Sequence, residues 1–430
     1  MKGNFKIIIG IVFIAGAVLS VFVFSGAIPI GKDPNATVAK GTVVLWGTTK
    51  ASIMNPLLEI FNNANQTFVV KYAEKTPENF NSELLEAIAA GVGPDLFLLP
   101  DDLAYEYLNK IYLIPYAGYP LVTFKNTFAG AGEVFLTSSG IVAFPITIDP
   151  MMMYYNRGIL DSAGIATPPL YWEDFTEIIP KINQKDENKK ITKSTLALGQ
   201  FSNINNAKGI LSTLFLQGGS SIVTEREGRY FGDLEVKANS KPDTLLSFFT
   251  SFADPNKPFY SWNRLLPNSR DFFSSDDLAF YFGYASELPF LIKKNPNLNF
   301  AVTNMPQIKN TNNKSTYAKV TGVAISKFSK NLNTALVAAS LMSSGTFADS
   351  YAKSLAVAPS TRASLAIKPT DQYFPYFYSS ALFSKSWLDP SGIETNDVFK
   401  GMVDGVLSNN QTPTEAIDDA NSRINFLLSK

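Results

Sequence analysis

Thr42-Val-Val-Leu-Trp46, Phe68-Val-Val-Lys-Tyr72 and Asp95-Leu-Phe-Leu-Leu99 are three short apolar runs, rich in the residues that suit strands. Between the first two, Ser52 stands ahead of Leu57, Leu58 and Phe61, which share one face of a helix that the serine can cap. Between the second and third, Thr76-Pro77-Glu78 opens a helix, with proline in its first turn. Phe80, Leu84, Leu85 and Ile88 follow at helical spacing, and Gly91 offers a stop. Strand, helix, strand, helix, strand with short links implies a parallel sheet covered by helices on both faces.

The alternation continues outward. Ile141 to Phe144 and Met151 to Tyr155 are strand-like, with Pro145 and Pro150 interrupting them. Glu173 to Ile179 begins a helix, Gln184 to Lys193 is polar enough for a surface loop, and Asn206 to Gln217 is helical up to Gly218-Gly219. Short strands are expected at Ala279 to Phe282, Phe300 to Thr303 and Lys319 to Ile325, and a helix at Ala335 to Met342. Near the end, Val398, Phe399, Met402, Val403, Val406 and Leu407 form one apolar stripe. Thr412-Pro413-Thr414-Glu415 is a capping box, and Ala416, Ile417, Ala420, Ile424 and Leu427 continue the buried face behind it.

Composition narrows the chemistry. The chain has 430 residues, 46% hydrophobic and 17% charged, which suits a globular protein of more than one domain. Lysine plus arginine equals aspartate plus glutamate at 37 each, so no net field draws nucleic acid. There is no cysteine and no histidine. Thiolate nucleophiles, sulfur- or imidazole-bound metals and histidine triads are therefore excluded. Carboxylate, lysine and tyrosine chemistry survive. No cofactor, metal or catalytic group is indicated, and Met151-Met-Met153 reads as core rather than as a soft-metal box.

At the amino terminus, Lys2 and Lys6 precede an uncharged run from Ile7 to Phe24, followed by Ser25, Gly26 and Ala27. This is the pattern of a secretory signal, and the small residues could serve a cleavage site, giving a secreted form. At about 1.5 Å per residue the run also nearly spans a bilayer core of roughly 30 Å, so a retained helix would anchor the chain in the cell membrane. The lysines place the bulk of the chain on the extracytoplasmic side. Pro29 to Lys40 reads as a polar tether.

Several motifs occur in a telling order. They are Leu45-Trp46-Gly47, then Gly91-Val-Gly93-Pro94-Asp95, Gly140-Ile-Val-Ala-Phe-Pro145, Tyr154-Tyr155-Asn156-Arg157 and Trp172-Glu173-Asp174-Phe175. Thr321-Gly322-Val-Ala-Ile325, Ala358-Pro359-Ser360 and Thr412-Pro413-Thr414-Glu415-Ala416 complete the series. From Thr42 onward the chain resembles the bacterial extracellular solute-binding family that includes the maltodextrin- and other sugar-binding proteins of ABC importers. Lipoprotein members carry a cysteine after the signal and this chain has none, which makes a helical anchor the natural substitute for lipid.

The resemblance implies an α/β, two-lobe periplasmic-binding-protein-like fold of type II, with hinge crossings, preceded here by an N-terminal transmembrane helix. The expected partition is an anchor over 1–28, a tether over 29–41, lobe 1 over 42–147, lobe 2 over 148–308, lobe 1 again over 309–365, and lobe 2 with its closing helices over 366–430. Crossings are expected near Thr147 to Pro150, Pro306 to Asn310 and Thr361 to Lys368. The implied function is capture of a small solute, a sugar or oligosaccharide, for delivery to ABC-type permease subunits, with no reaction catalysed. Ligands of such folds sit between the lobes at the carboxyl ends of strands, and closure is a hinge motion.

A sugar site needs carboxylates or amides for hydroxyls and flat aromatics for C–H faces. The resemblance puts a solute-contacting acid at Asp101 and Asp102, which otherwise read as a solvated loop start or helix cap. It puts another at Asp149, an acid between apolar Ile148 and Pro150 with little local structural purpose. Thr48 and Thr49, after Trp46, offer hydroxyls and main-chain donors, while Trp46 itself is equally suited to the core. Tyr281, Tyr284 and Glu287 resemble the cleft-lining segment of the second lobe, with ordinary aromatic packing as the alternative. Trp387 and Asp389 fall where the family tends to place a late aromatic platform. Asn206, with Asn203 and Asn205, is a candidate from the loop before a helix. Thr321 and Gly322 would let the main chain approach the solute, or simply pack the sheet. Two other readings stand beside transport. One is a membrane-anchored glycoside hydrolase using Asp102 and Asp149 across a cleft, and the other is a surface receptor or adhesin keeping the fold without transport.

Overall fold

The computed structural model describes residues 39–311 and 314–430; the expected anchor over 1–28 and most of the tether lie outside the described residues. Among the described residues, no helix is long and apolar enough to cross a membrane.

The opening alternation folds as β1 (Gly41–Gly47), α1 (Ala51–Ala64), β2 (Phe68–Glu74), α2 (Phe80–Ala89) and β3 (Leu96–Pro100). β1 lies parallel to both β2 and β3. Two starts differ from expectation. Ser52 does not cap α1; the Ala51 amide is held instead by Glu74 Oε2 at 2.6 Å. Thr76-Pro77 opens a turn, and α2 begins one turn later, where the Phe80 amide reaches the Thr76 carbonyl. Asp95, ahead of β3, is structural: it accepts from the Val44 amide at 3.0 Å and the Ser329 hydroxyl at 2.6 Å.

Pro145 and Pro150 do not break the sheet as the sequence reading expected. They sit within one 14-residue strand, β4 (Ala143–Asn156). Proline lacks an N–H for a ladder, and the pairing accommodates this: the register shifts at Pro145, while Pro150 stands opposite Ala318. β5 (Ile191–Leu196) takes part of the expected 184–193 loop, and Gln184–Lys185 pairs with it. α3 (Ala207–Gln217), β6 (Leu278–Tyr284), β7 (Phe300–Asn304) and β8 (Thr316–Ile325) follow, and the chain closes with α4 (Gly392–Leu407) and α5 (Pro413–Leu427). The capping box at Thr412 is formed in both directions. Across the sheet the order is β2-β1-β3-β8-β4-β6-β5. β8 runs antiparallel to both β3 and β4.

This continuous sheet serves two lobes because its strands change cores along their length. Phe144 and Ile146 of β4 pack with Val43, Leu45 and Leu96, and Ile148 with Phe97 and Leu99. Met151 to Tyr154, on the same strand, are buried with Trp172, Leu211 and Phe282. On β8, Ala318 and Val320 belong to the first lobe and Tyr317 to the second. The core therefore changes inside β8, after the segment 306–310 where a crossing was expected. The third change also falls later than 361–368: Leu365 packs in the first lobe, while the helix Phe374–Phe383 straddles both through Phe377 and Ala381. Trp172 is 1% exposed, with its Nε1–H donated to Gln217 at 2.8 Å, as befits a structural tryptophan.

Candidate functional site: a cleft where strands pass between lobes

β3 ends at Pro100, and Asp101 and Asp102 turn the chain immediately after it. Asp149 lies on β4 at the change of cores, with Lys319 of β8 opposite it in register. Tyr284 ends β6, paired with Met151, and strand alternation puts it on the same face as Asp149. Just beyond, Ser286 donates its amide at 3.0 Å and its hydroxyl at 2.6 Å to the two Asp149 oxygens. The Lys319 ammonium stands 4.4 Å over the Tyr284 ring, within cation–π range. These groups meet where β4 and β8 pass from one core to the other.

The walls come from both sides. Asp101 accepts from the Ser386 hydroxyl. Asp102 reaches the start of α4, where a Cβ added at Gly392 would lie 3.0 Å from its Oδ2. Lys208 of α3 stands nearby, bonded to the Asp389 carboxylate and to Thr395 Oγ1 at 2.6 Å. Both lobes thus present charged groups to the ends of the same strands.

Burial dominates the electrostatics. It raises the Asp101 carboxyl, and the neighbouring Asp102 raises it further, against hydrogen bonds from Ser386 and the Val320 amide and the charge of Lys319. Burial and then the Asp389 charge raise Asp102, opposed by Lys319 and Lys208. Asp149 is pushed up to about 6 by burial, partly offset by the two Ser286 hydrogen bonds and by Lys319. Lys319 is the cation common to all three acids. Such an array can accept from hydroxyls and donate to oxygens. Among the described residues no group of three or more acidic side chains is arranged to hold a metal ion.

Several predicted residues are occupied elsewhere. Trp387 is 3% exposed, stacks on Phe399 at 6.1 Å and donates to Ser212. Asp389 is buried and satisfied by Lys208, the Ser391 amide and the Thr395 hydroxyl, so it organises the start of α4. Glu287 collects Asn206 Nδ2 at 2.6 Å, the Tyr281 hydroxyl at 2.6 Å and the Tyr284 amide at 2.9 Å. Asn206, Tyr281 and Glu287 thereby satisfy one another inside the second lobe. Asn203 and Asn205 hold the chain around Asn263 to Arg270. Gly322 is a packing glycine; an added Cβ would meet Ala143 at 2.7 Å and Phe135 at 2.8 Å. Thr321 beside it pairs with Pro100 and Thr147 within the sheet.

In the first lobe, Trp46 is half-buried under the Lys75 ammonium at 3.8 Å. Thr49 is tied to Tyr351 and Tyr72, while Thr48 is exposed. Asp101, Asp102, Asp149 and Tyr284 lie around Lys319, with Ser286, Lys208 and Ser386 beside them; these last three and Lys319 were missed by sequence reasoning. A lysine in a strand reads as a solvent-facing residue, and only the pairing of β8 with β4 reveals its neighbours.

An opening of about 660 Å³ lies between Gly130–Leu136 of the first lobe and Leu216–Glu225 of the second, with Trp387 and the Asp101 partner Ser386 in its wall. Glu225 there takes the Ser138 amide at 3.1 Å, a direct contact between lobes. Asp102, Asp149 and Lys319 are not among its lining residues.

A family model described as a bacterial extracellular solute-binding protein matches residues 57–374. A binding protein of Brucella abortus (strain 2308) is 29% identical over 104 residues, 23% of this chain; the match spans only 25% of that relative's length. Among solved structures, a cyclo/maltodextrin-binding protein complexed with maltotetraose has a TM-score of 0.71 at 17% identity, over 89% of this chain and 96% of the other. The cyclic alpha-maltosyl-1,6-maltose binding protein from Arthrobacter globiformis gives 0.73 at 14% identity, over 90% and 98%. The sugar-binding protein MalE from Xanthomonas citri gives 0.71 at 16% identity, over 90% and 97%. These likenesses carry the two-lobe fold across nearly the whole of each chain. With a family match running through both lobes and all the strands of the cleft, the protein belongs to the bacterial extracellular solute-binding proteins.

Proposed function

We propose that the protein captures a small solute, a sugar or oligosaccharide, between its lobes and delivers it to an ABC-type permease, without catalysing a reaction. The observation that supports this reading is a set of charged groups: Asp102, Asp149 and Lys319 gather where the strands pass between the two cores. Structures of similar fold were solved on proteins that bind maltodextrins and related sugars, and the hydroxyl-matching groups here suit that chemistry. In this reading the amino-terminal segment holds the chain to the cell membrane with its lobes outside.

A thermal-shift screen of sugars, amino acids and polyamines on the full chain tests the proposal. A solute at about a hundred times its dissociation constant adds roughly 2.7 kcal/mol to stability. If no member of the screen raises the melting temperature, the binding reading fails. Release of product from an oligosaccharide, abolished in Asp149→Asn, would replace it with hydrolysis.

A further inference from the structure

Most charged groups at the cleft are already committed. Both Asp149 oxygens are taken by Ser286, Asp101 by Ser386, and Asp389 by Lys208, Ser391 and Thr395. Lys208 also reaches Thr395 and the Gly392 carbonyl. Two groups differ. Among the described residues, Asp102 bonds only to its own main chain. Lys319 is exposed and, among the described residues, its ammonium makes no hydrogen bond or ion pair, touching only the face of Tyr284.

Resting on the carbohydrate reading above, we infer that Lys319 is the specificity-determining donor of the cleft, selecting an uncharged, hydroxyl-rich solute over a cationic one. A solute that covers the ammonium strips its water, and the N–H groups must then find acceptors. Hydroxyl and ether oxygens supply them, while a neighbouring hydroxyl donates to Asp102. A cationic solute would set a second positive charge beside the Lys319 ammonium, whose own charge already acts on Asp101, Asp102 and Asp149 together. An anionic solute would meet those same three acids.

Titration calorimetry on the full chain, with maltotetraose, mannotriose and a glucosamine trimer as probes, tests this. The wild type should bind a neutral probe and reject the cationic trimer. Lys319→Gln should weaken the neutral probe by about 10- to 100-fold, the scale of one charged hydrogen bond. The same variant should gain affinity for the trimer, and Lys319→Arg should restore most of the neutral binding. Melting of the unliganded variants checks folding. Neutral binding unchanged within twofold in Lys319→Gln overturns the inference and leaves sugar binding standing. Stronger binding of the trimer by the wild type also overturns it. Binding of none of the three removes the carbohydrate reading and this inference together.

Discussion

Asp149 sets a carboxylate charge against burial in one side chain. Its position at the change of cores removes water, and burial lifts its carboxyl to about 6 despite two donors from Ser286. The sign follows from linkage. A carboxyl of normal affinity when unfolded and raised when folded lets the native state hold an extra proton at low pH. Its contribution to stability is therefore full below about 4 and is lost as pH rises through about 6. Asp149→Asn should flatten that part of the pH–stability curve and raise unliganded stability at neutral pH, on the order of 1 kcal/mol after allowance for partial exposure. Denaturant melts between pH 4 and 8 measure it, and a variant that tracks the wild type across that range would contradict it. An acid wedged between Ile148 and Pro150 with no local task is legible from sequence, whereas the burial of Trp387 is not. Its burial comes from stacking on Phe399 and from Ser212 of α3, distant partners that no local pattern announces.

At the scale of elements, the repeated rise of apolar runs made β1 to β3 readable, because two-residue and 3.6-residue periods are local properties. β4 was not readable as one strand. Pro145 and Pro150 signal breaks, and their tolerance depends on how β8 pairs alongside, through a register shift at Thr321/Gly322. That same shift places Gly322 against Ala143 and Phe135, with 2.7 and 2.8 Å left for a Cβ. Gly322→Val should overpack the joint between strand and first-lobe core and cost about 1–3 kcal/mol. The loss should appear as a lower denaturant midpoint with little change in slope. An unchanged midpoint would mean the joint yields freely, against the close packing seen there.

For the whole molecule, the relation between lobes is set where they touch, and Gly392 marks one such place. It opens α4 in the second lobe, while Asp102 ends the β3 turn in the first, and 3.0 Å separates Asp102 Oδ2 from the Cβ that glycine lacks. The Tyr105 hydroxyl, also in the first lobe, reaches the Leu428 carbonyl at 2.6 Å, so the rims meet on this side. Gly392→Val would place branched carbon where only a carboxylate edge now fits. The lobes can relieve that contact by separating, whereas the cores within each lobe are untouched. Gly392→Ala should therefore lower solute affinity modestly and Gly392→Val by about tenfold, roughly 1.4 kcal/mol of bias against the closely packed arrangement. Unliganded melting should stay near that of the wild type, and X-ray scattering should show a larger radius of gyration. Equal affinity in all three proteins would show that Asp102 and α4 need not approach for the solute to be held, and would assign closure to other contacts.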